Sequence, residues 1–166
     1  MARVTQRIWY FSYGSNLDPA RFRSRVGPWH EMRTAVLEGY RVRFSGDVRS
    51  EGGGGAFVEP AEGAAAFGAV FLIDPDQMQA MDEVELRPER NLAGLAVRRQ
   101  VDVRTPAEIV RAEMYTLPAS GRYLAPSMKY LGHILDGLRA TGHPEKVLEG
   151  VRAIAAAEPS TGPLSP

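Results

Sequence analysis

The chain has 166 residues, 44% hydrophobic and 24% charged, with 20 basic and 20 acidic side chains and a formal net charge of zero. These values are ordinary for one globular domain large enough to form a core, and they disfavour a polyanionic partner such as nucleic acid. The sequence contains no cysteine, which excludes a disulfide framework, a thiol nucleophile and a cysteine-bound metal.

Histidine spacing and hydropathy predict neither a metal site nor a membrane segment. His30, His133 and His143 lie far apart, and none pairs with a carboxylate at metal-ligand spacing. The longest apolar run, residues 64–73, is shorter than the ~20 residues that a membrane helix needs. Residues 1–7 lack the apolar core of a signal peptide. We therefore expect a cytoplasmic protein without metal or cofactor, and without a membrane or nucleic-acid partner.

The first predicted elements are a strand and a helix joined by a sharp turn. Residues 9–13 are mostly aromatic and precede a glycine, which is typical of a buried strand, and Asp18 and Pro19 are a helix-starting pair. Such a turn presents free backbone N–H groups near a helix N-terminus and can bind a carboxylate or an oxyanion. Ser15 and Asn16 add side-chain donors. The alternative is an ordinary connection in which Asn and Asp are only turn formers. The arginines of the helix, Arg21, Arg23 and Arg25, are interpreted as a solvated surface.

This strand and turn also carry a resemblance to a known family. Their residues are Tyr10, Phe11, Ser12, Tyr13, Gly14, Ser15, Asn16 and Leu17. The run resembles the N-terminal signature of the γ-glutamylcyclotransferase-like family, which includes γ-glutamylamine cyclotransferases and AIG2-like proteins. The resemblance implies that these eight residues bind substrate. It further implies one α+β domain over residues 7–156, a small closed mixed β-barrel or strongly curved sheet with helices around it.

Strands are predicted on both sides of a run of four glycines. Residues 34–44 alternate in polarity as one strand or two. The residues expected on its buried face are Val36, Tyr40, Val42 and Phe44. The glycines at 52–55 predict a mobile loop, and a phosphate-binding loop is disfavoured because no Lys-Ser or Lys-Thr pair follows. Residues 56–58 and 64–73 then read as core strands, which agrees with the resemblance.

A helix that ends in a carboxylate is predicted next. Residues 74–77 combine an N-cap Asp with a first-position Pro, and the helix is expected to stop before Pro88. At ~100° per residue, Met78 and Glu85 lie about 20° apart, so Glu85 projects from the apolar face while Glu83 does not. Burial and a helix C-terminus both disfavour the charged form of a carboxyl group and so raise its pKa. A raised pKa is typical of a carboxylate that acts as a general base. The alternatives are a helix that frays before Glu85 and an ion pair of Glu85 with Arg87 or Arg90.

The resemblance makes Glu85 the candidate catalytic residue. Residues 81–85 match the stretch in which the family carries its catalytic glutamate. Two positions depart from the family pattern. Leu86 stands where glycine is usual after the glutamate, and Ala96 stands where a tyrosine is usual five positions before the Val-x-Val strand. Substrate choice, or activity itself, is therefore open.

The last predicted elements are two strands and two helices. The strands span residues 95–103 and 108–117, and Tyr115 matches a tyrosine that lines the family's cavity, although by pattern alone it is more often core. Ser127 caps a helix in which Tyr130 matches a ligand-contacting tyrosine of the family. The final helix is expected to pack Val147, Leu148, Val151 and Ile154 inward. Residues 157–166 form the predicted disordered tail, because they are rich in proline and glycine.

The reaction implied by the resemblance is cyclisation of a γ-glutamyl group to 5-oxoproline with release of an amine. Glu85 would move the protons, no cofactor is implied, and the partner is a small-molecule γ-glutamyl substrate. The alternatives are a non-catalytic binding protein and a γ-glutamyl amide hydrolase. The oligomeric state, monomer or homodimer, stays open. So does the leaving amine, which can be a free amino acid, a polyamine, an ε-lysyl group or a protected metabolite.

Overall fold

The structure is a computed structural model that describes residues 6–91, 94–118 and 121–160. In these residues five strands form a closed barrel, with four α-helices around it. The strands are β1 (Ile8–Ser12), β2 (Glu31–Ser50), β3 (Gly53–Ile73), β4 (Val97–Arg104) and β5 (Ile109–Thr116). The helices are α1 (Pro19–Val26), α2 (Pro75–Glu85), α3 (Met128–Ala140) and α4 (Glu145–Ala157). A 3-10 turn over Ser15–Leu17 connects β1 to α1.

The barrel has the strand order β1-β3-β2-β4-β5 and closes between β5 and β1. All neighbouring strands are antiparallel except β1 and β5, which are parallel and pair at Tyr10 and Glu113. The prediction of an α+β fold with a small closed mixed barrel is therefore confirmed. Consecutive residues of β1, from Tyr10 to Ser12, are buried, so both faces of this strand are covered.

A β-bulge in β2 changes which side chains face the core. The pairing of β2 with β3 shifts between Glu38 and Tyr40, and Gly39 between them has φ of 81°. The pairing skips one residue of β2, Gly39, and four of β3, residues 61–64, and the alternation of buried side chains along β2 is reversed beyond this irregularity. The buried residues are Ala35 and Leu37 before the bulge, and Val42 and Phe44 after it. The predicted face is therefore correct at Val42 and Phe44 and wrong at Val36 and Tyr40, which are only partly buried.

The glycine-rich segment is not the predicted mobile loop. Only Glu51 and Gly52 form a turn, and the next three glycines are buried and begin β3, which continues unbroken to residue 73. A Cβ on Gly54 would lie 2.0 Å from the carbonyl oxygen of Leu124. The prediction is wrong because these glycines allow another backbone segment to approach closely, a tertiary requirement that composition does not reveal.

The two helices beside the first strand begin as predicted, and α2 ends before Pro88 as predicted. The Asp18 side chain accepts a hydrogen bond from the backbone N–H of Ala20 at the start of α1. Asp74 and Gln77 form a capping box at the start of α2, which ends at Glu85. Met78 and Met81 are buried on the barrel side of α2, whereas Glu83 is exposed. In the described parts of the chain, no helix has the length and apolar character needed to cross a membrane.

Ordered structure continues past the predicted end of the domain. Ala157 is the last residue of α4, and the buried carboxylate of Glu158 pairs with Arg43 on β2. The carbonyl oxygen of Pro159 accepts a hydrogen bond of 2.7 Å from the N–H of Ala125. Residues 157–159 are thus in contact with the rest of the domain, and the division into a domain and a disordered tail stays a prediction. Residues 161–166 of the predicted tail lie outside the described residues.

Candidate active site

A pocket opens at the end of β1, where the chain leaves the barrel and enters the 3-10 turn. It contains about 500 Å³ of empty space, including its open mouth. The predicted site residues that line it are Tyr10, Phe11, Ser12, Tyr13, Gly14, Ser15, Asn16, Glu85, Tyr115 and Tyr130. The other lining residues are Val48, Ala56, Phe57, Ala96, Thr116 and Leu117. The structure thus brings together residues from the first strand, the end of α2, β5 and the start of α3.

Leu17 is the predicted substrate-binding residue that does not line this pocket. Its side chain is fully buried, and it lies against α3, where a Cβ on Gly137 would be 2.3 Å from the Leu17 Cβ. The apolar side chain therefore anchors the turn to α3. This packing explains why an apolar residue occupies position 17 of an otherwise polar turn.

The turn presents three backbone donors at the pocket wall. Two bonds hold it: Leu17 N–H donates to the carbonyl of Gly14, and Asp18 N–H donates to that of Ser15. Within the described residues, the N–H groups of Gly14, Ser15 and Asn16 donate to no protein acceptor. Successive free N–H groups of this kind form a binding site for an anion.

Asn16 and Arg25 fix the carboxylate of Glu85. The Asn16 Nδ2 lies 3.0 Å from Glu85 Oε1, and Arg25 Nη1 lies 3.2 Å from the same oxygen. Arg25 also donates to Asn16 Oδ1. Because a guanidinium can only donate and a carboxylate can only accept, these two partners determine the orientation of the Asn16 amide. The three side chains form a closed polar triangle at the end of α2.

A second guanidinium faces the same carboxylate. Arg90 Nη1 lies 4.0 Å from Glu85 Oε1, while the exposed Arg87 donates to the carbonyl of Glu83. Of the alternatives raised by the sequence, the helix does not fray before Glu85, and an ion pair forms with Arg90 and not with Arg87. Two guanidinium groups, those of Arg25 and Arg90, therefore face the Glu85 carboxylate at the end of α2.

The interpretation of the α1 arginines as a solvated surface is wrong for Arg21 and Arg25, which are partly buried, and holds for Arg23, which is exposed. Arg25 has a side chain only 14% exposed and turns toward the pocket, Arg21 pairs with Glu51, and Arg23 lies 4.4 Å from the Trp29 ring centre. At ~100° per residue, Arg21 and Arg25 are about 40° apart on α1, on nearly one face. Burial lowers the pKa of Arg25, and the Glu85 carboxylate acts in the opposite direction. The i, i+4 spacing beside the predicted binding turn was the signal that could have identified Arg25.

Two tyrosines hold fixed hydrogen bonds in the pocket wall. The Tyr10 hydroxyl accepts from Asn16 Nδ2 at 2.9 Å. The Tyr115 hydroxyl donates to Asp82 Oδ1 at 2.6 Å, and Asp82 also pairs with Arg98 at 3.2 Å. Burial raises the pKa of both tyrosines, so both hydroxyls stay neutral at physiological pH.

Tyr130 offers a free donor. Its oxygen accepts a hydrogen bond of 3.0 Å from the N–H of Ala56, and burial raises its pKa. Among the described residues the Tyr130 proton has no acceptor, although the side chain is almost fully buried. The oxygen lies 3.5 Å from the position of a Cβ built on Gly14. A ligand group at the turn is therefore within reach of the Tyr130 hydroxyl.

The two departures from the family pattern have different structural meanings. Leu86 takes φ of −102° and ψ of 7°, a conformation open to any residue, so the chain needs no glycine there. Ala96 lines the pocket, and its backbone is held on both sides by the side chain of Asn91 at 2.9 and 3.2 Å. A methyl group therefore stands at the pocket wall where the family usually has a ring.

The three histidines have protein partners far from one another. His30 lies 3.0 Å from Asp74, His133 lies 2.7 Å from Asp18, and His143 lies 2.7 Å from the carbonyl of Gly68. Within residues 6–91, 94–118 and 121–160, no group of three or more His, Asp and Glu side chains is arranged to hold a metal ion.

Comparison with protein-family models matches residues 10–132 to the family "Gamma-glutamyl cyclotransferase, AIG2-like". This segment contains the last three residues of β1, the turn, α2 and the start of α3, and with them every predicted site residue. No protein among the curated sequences matches the chain.

Solved structures with the same fold include proteins of this kind. A structure named "Gamma-glutamyl cyclotransferase" has a TM-score of 0.75 and 23% identity, over 90% of this chain and 88% of that one. An uncharacterized protein from Homo sapiens has a TM-score of 0.74 and 24% identity, over 89% and 88%. A γ-glutamyl cyclotransferase specific to glutathione from yeast has a TM-score of 0.59 and 13% identity, over 89% and 96%. At these identities the likeness shows the fold.

Proposed function

Because the chain belongs to the Gamma-glutamyl cyclotransferase, AIG2-like family, we propose that it cyclises the γ-glutamyl group of a small γ-glutamyl compound to 5-oxoproline. The observation that carries this proposal is the position of Glu85. Its carboxylate is held by Asn16 and Arg25 at a pocket that is also lined by the turn with its free N–H groups. A proton acceptor and an anion site are thus combined in one pocket, as this reaction requires.

The reaction needs little chemistry from the protein. The α-nitrogen of the substrate attacks the γ-carbonyl carbon, a five-membered ring closes, and the bond from that carbon to the amide nitrogen breaks. Intramolecular attack can reach effective molarities of roughly 10⁵ M or more when the geometry is enforced. The substrate therefore supplies its own nucleophile, and the protein must position it and manage protons.

Proton balance defines the role of Glu85. The α-nitrogen begins as an ammonium group with three protons and ends as a lactam N–H with one. The leaving nitrogen begins with one proton and ends, as an ammonium group, with three. Two protons therefore move from one nitrogen to the other without net exchange with water. A single carboxylate near both nitrogens can accept and return them in turn, and we assign this role to Glu85.

The other pocket groups would hold the substrate. The free N–H groups of Gly14, Ser15 and Asn16, with the hydroxyl proton of Tyr130, suit either the α-carboxylate of the γ-glutamyl group or the oxyanion that develops on its γ-carbonyl. Asn16 would keep the Glu85 carboxylate in a fixed position during both proton transfers. We further propose that the enzyme acts in the cytoplasm on small molecules. We expect it to be a monomer or a homodimer.

The test is a panel of γ-glutamyl amines and γ-glutamyl amino acids incubated with the purified protein. Mass spectrometry would measure 5-oxoproline, free glutamate and the released amine. The proposal expects equal amounts of 5-oxoproline and amine. Free glutamate in place of 5-oxoproline would show a hydrolase, and binding of 5-oxoproline without any product release would show a non-catalytic binding protein.

A further inference from the structure

Arg90 is an arginine of the pocket region whose hydrogen-bonding capacity is unused. Its side chain is only 15% exposed, and its Nε is buried without a hydrogen-bond partner. Among the described residues, the guanidinium contacts one acceptor, Glu85 Oε1, at 4.0 Å, which is too long for a hydrogen bond. A buried guanidinium without hydrogen bonds is costly, so an acceptor that completes the site is expected.

Arg25 differs from Arg90 in this respect. Arg25 donates to both Asn16 and Glu85 and is therefore committed to holding the polar triangle. Arg90 also lies next to the Glu85 carboxylate but forms no hydrogen bond with it. The two arginines have different tasks, and the free donors belong to Arg90.

The residue that follows Arg90 is bonded to two segments that line the pocket. The next residue, Asn91, forms an antiparallel bridge with Val48, and its side chain holds the backbone of Ala96. Val48 and Ala96 both line the pocket. Arg90 is therefore next in the chain to a residue bonded to two pocket-lining segments, and its guanidinium reaches Glu85, which lines the same pocket.

The charges around Glu85 do not balance. One carboxylate, Glu85, faces two guanidinium groups, Arg25 and Arg90. The nearby Asp82 is neutralised separately, because it pairs with Arg98. The glutamyl part of a substrate carries one positive and one negative charge and cannot remove the excess positive charge. A negative charge on the leaving group would remove it.

We propose that Arg90 binds a carboxylate on the leaving group, so that the substrates are γ-glutamyl amino acids or peptides and not γ-glutamyl derivatives of polyamines or simple amines. This inference rests on the proposed function. The planar fork of the guanidinium can form two parallel hydrogen bonds to a carboxylate. A leaving group with a net positive charge would instead meet two cations.

The test compares two substrates that differ by one carboxylate: γ-glutamyl-L-alanine and γ-glutamyl-ethylamide. The wild-type protein is expected to show a kcat/KM about 10- to 100-fold higher for γ-glutamyl-L-alanine, the usual contribution of a charged hydrogen bond. In Arg90→Met this ratio should fall to near one, and in Arg90→Lys it should be intermediate. Any effect of Arg90 on Glu85 itself changes both substrates equally and cancels in the ratio.

Arg87→Met is the matched control, because Arg87 is an exposed arginine three residues earlier and makes no contact with Glu85. It should keep the wild-type ratio. A ratio that stays the same in Arg90→Met, or a wild-type protein that does not distinguish the two substrates, overturns the inference. If either Arg90 variant fails to fold by circular dichroism, the other variant and the wild-type ratio decide.

Failure of the proposed function would give a different result. In that case the wild-type protein forms no 5-oxoproline from either compound. Calorimetric dissociation constants of the two compounds for wild-type and Arg90→Met protein would then replace the kinetic ratio. The inference survives if the carboxylate strengthens binding to the wild type alone and is overturned if the two compounds bind equally.

Discussion

Gly137 of α3 lies directly against Leu17 of the binding turn, and a Cβ at Gly137 would be 2.3 Å from both the Leu17 Cβ and its carbonyl carbon. We therefore predict that Gly137→Ala moves the turn relative to α3. Overpacking of this kind costs about 1–3 kcal/mol. The melting temperature should fall by several degrees, and the affinity for 5-oxoproline, measured by calorimetry, should fall with it.

Gly132 provides a control in the same helix. A Cβ at Gly132 would meet no atom within 4 Å. Gly132→Ala should therefore raise stability by up to about 1 kcal/mol, because alanine favours the helix more than glycine. The prediction is wrong if the two substitutions change the melting temperature in the same direction.

The second prediction concerns the buried His143. Its Nε2 must donate to the carbonyl of Gly68, and burial lowers the pKa of the ring. On acidification the unfolded chain takes up a proton near the ordinary pKa of about 6.5, whereas the folded ring stays neutral to lower pH. His143 therefore contributes stability above pH of about 6.5 that is lost as pH falls toward the lower folded pKa.

Urea unfolding of wild type and His143→Gln at pH 8, 7, 6 and 5 would measure this loss. The wild type should lose more stability than the variant between pH 7 and 5, by no more than about 1.4 kcal/mol per pH unit. Carboxylates that titrate in both proteins cancel in the difference. Parallel curves for the two proteins would show that His143 does not titrate differently on folding.

The third prediction is that Ala96→Tyr alters catalysis more than stability. Ala96 lines the pocket, so an added ring would occupy ligand space and not the filled core. The relative kcat/KM values across the γ-glutamyl panel should change several-fold, while the melting temperature stays close to that of the wild type. A fall in stability of about 1–3 kcal/mol would instead indicate overpacking.

Val97→Tyr is the control for this change, because Val97 is the next residue and its side chain is exposed on β4. It should leave the kinetic constants of every substrate unchanged. If Ala96→Tyr also leaves them unchanged, Ala96 is not in contact with substrate.

Local sequence signals predicted much of this site. The capping residues Asp74 and Gln77, the breaking Pro88 and the helical period together gave the limits of α2 and the side on which Glu85 lies. The glycine turn between a strand and a helix start gave the segment that carries the free N–H groups. These features depend on residues within a few positions of one another, which one sequence can reveal.

The missed features depend on contacts between distant segments. Arg25 and Glu85 are 60 residues apart, and their pairing follows from the packing of α1 beside α2. At the bulge at Gly39, the set of β2 residues that faces the core switches from odd to even positions. A single glycine in a strand does not reveal such a change in pairing register. The buried glycines of β3 read as a loop, because the segment that approaches them, near Leu124, comes 70 residues later in the chain.

The prediction that tests the mechanism most directly is Glu85→Gln. The amide keeps the shape of the side chain and can still bond to Arg25 through its oxygen, but it cannot accept a proton. Turnover to 5-oxoproline should fall by roughly 10²–10⁴-fold, the usual contribution of general acid–base catalysis, while binding of 5-oxoproline is retained.

Stability separates this role from a structural one. Glu85 pairs with Arg25 and Arg90, so its neutral isostere leaves two guanidinium groups without a counter-charge, and a modest fall in the melting temperature is expected. Loss of activity must therefore be measured on folded protein. Glu83→Gln, on the exposed side of the same helix, is the control and should change neither property. If folded Glu85→Gln protein forms 5-oxoproline at the wild-type rate, Glu85 is not the base, and the residual activity must be assigned to another group of the pocket.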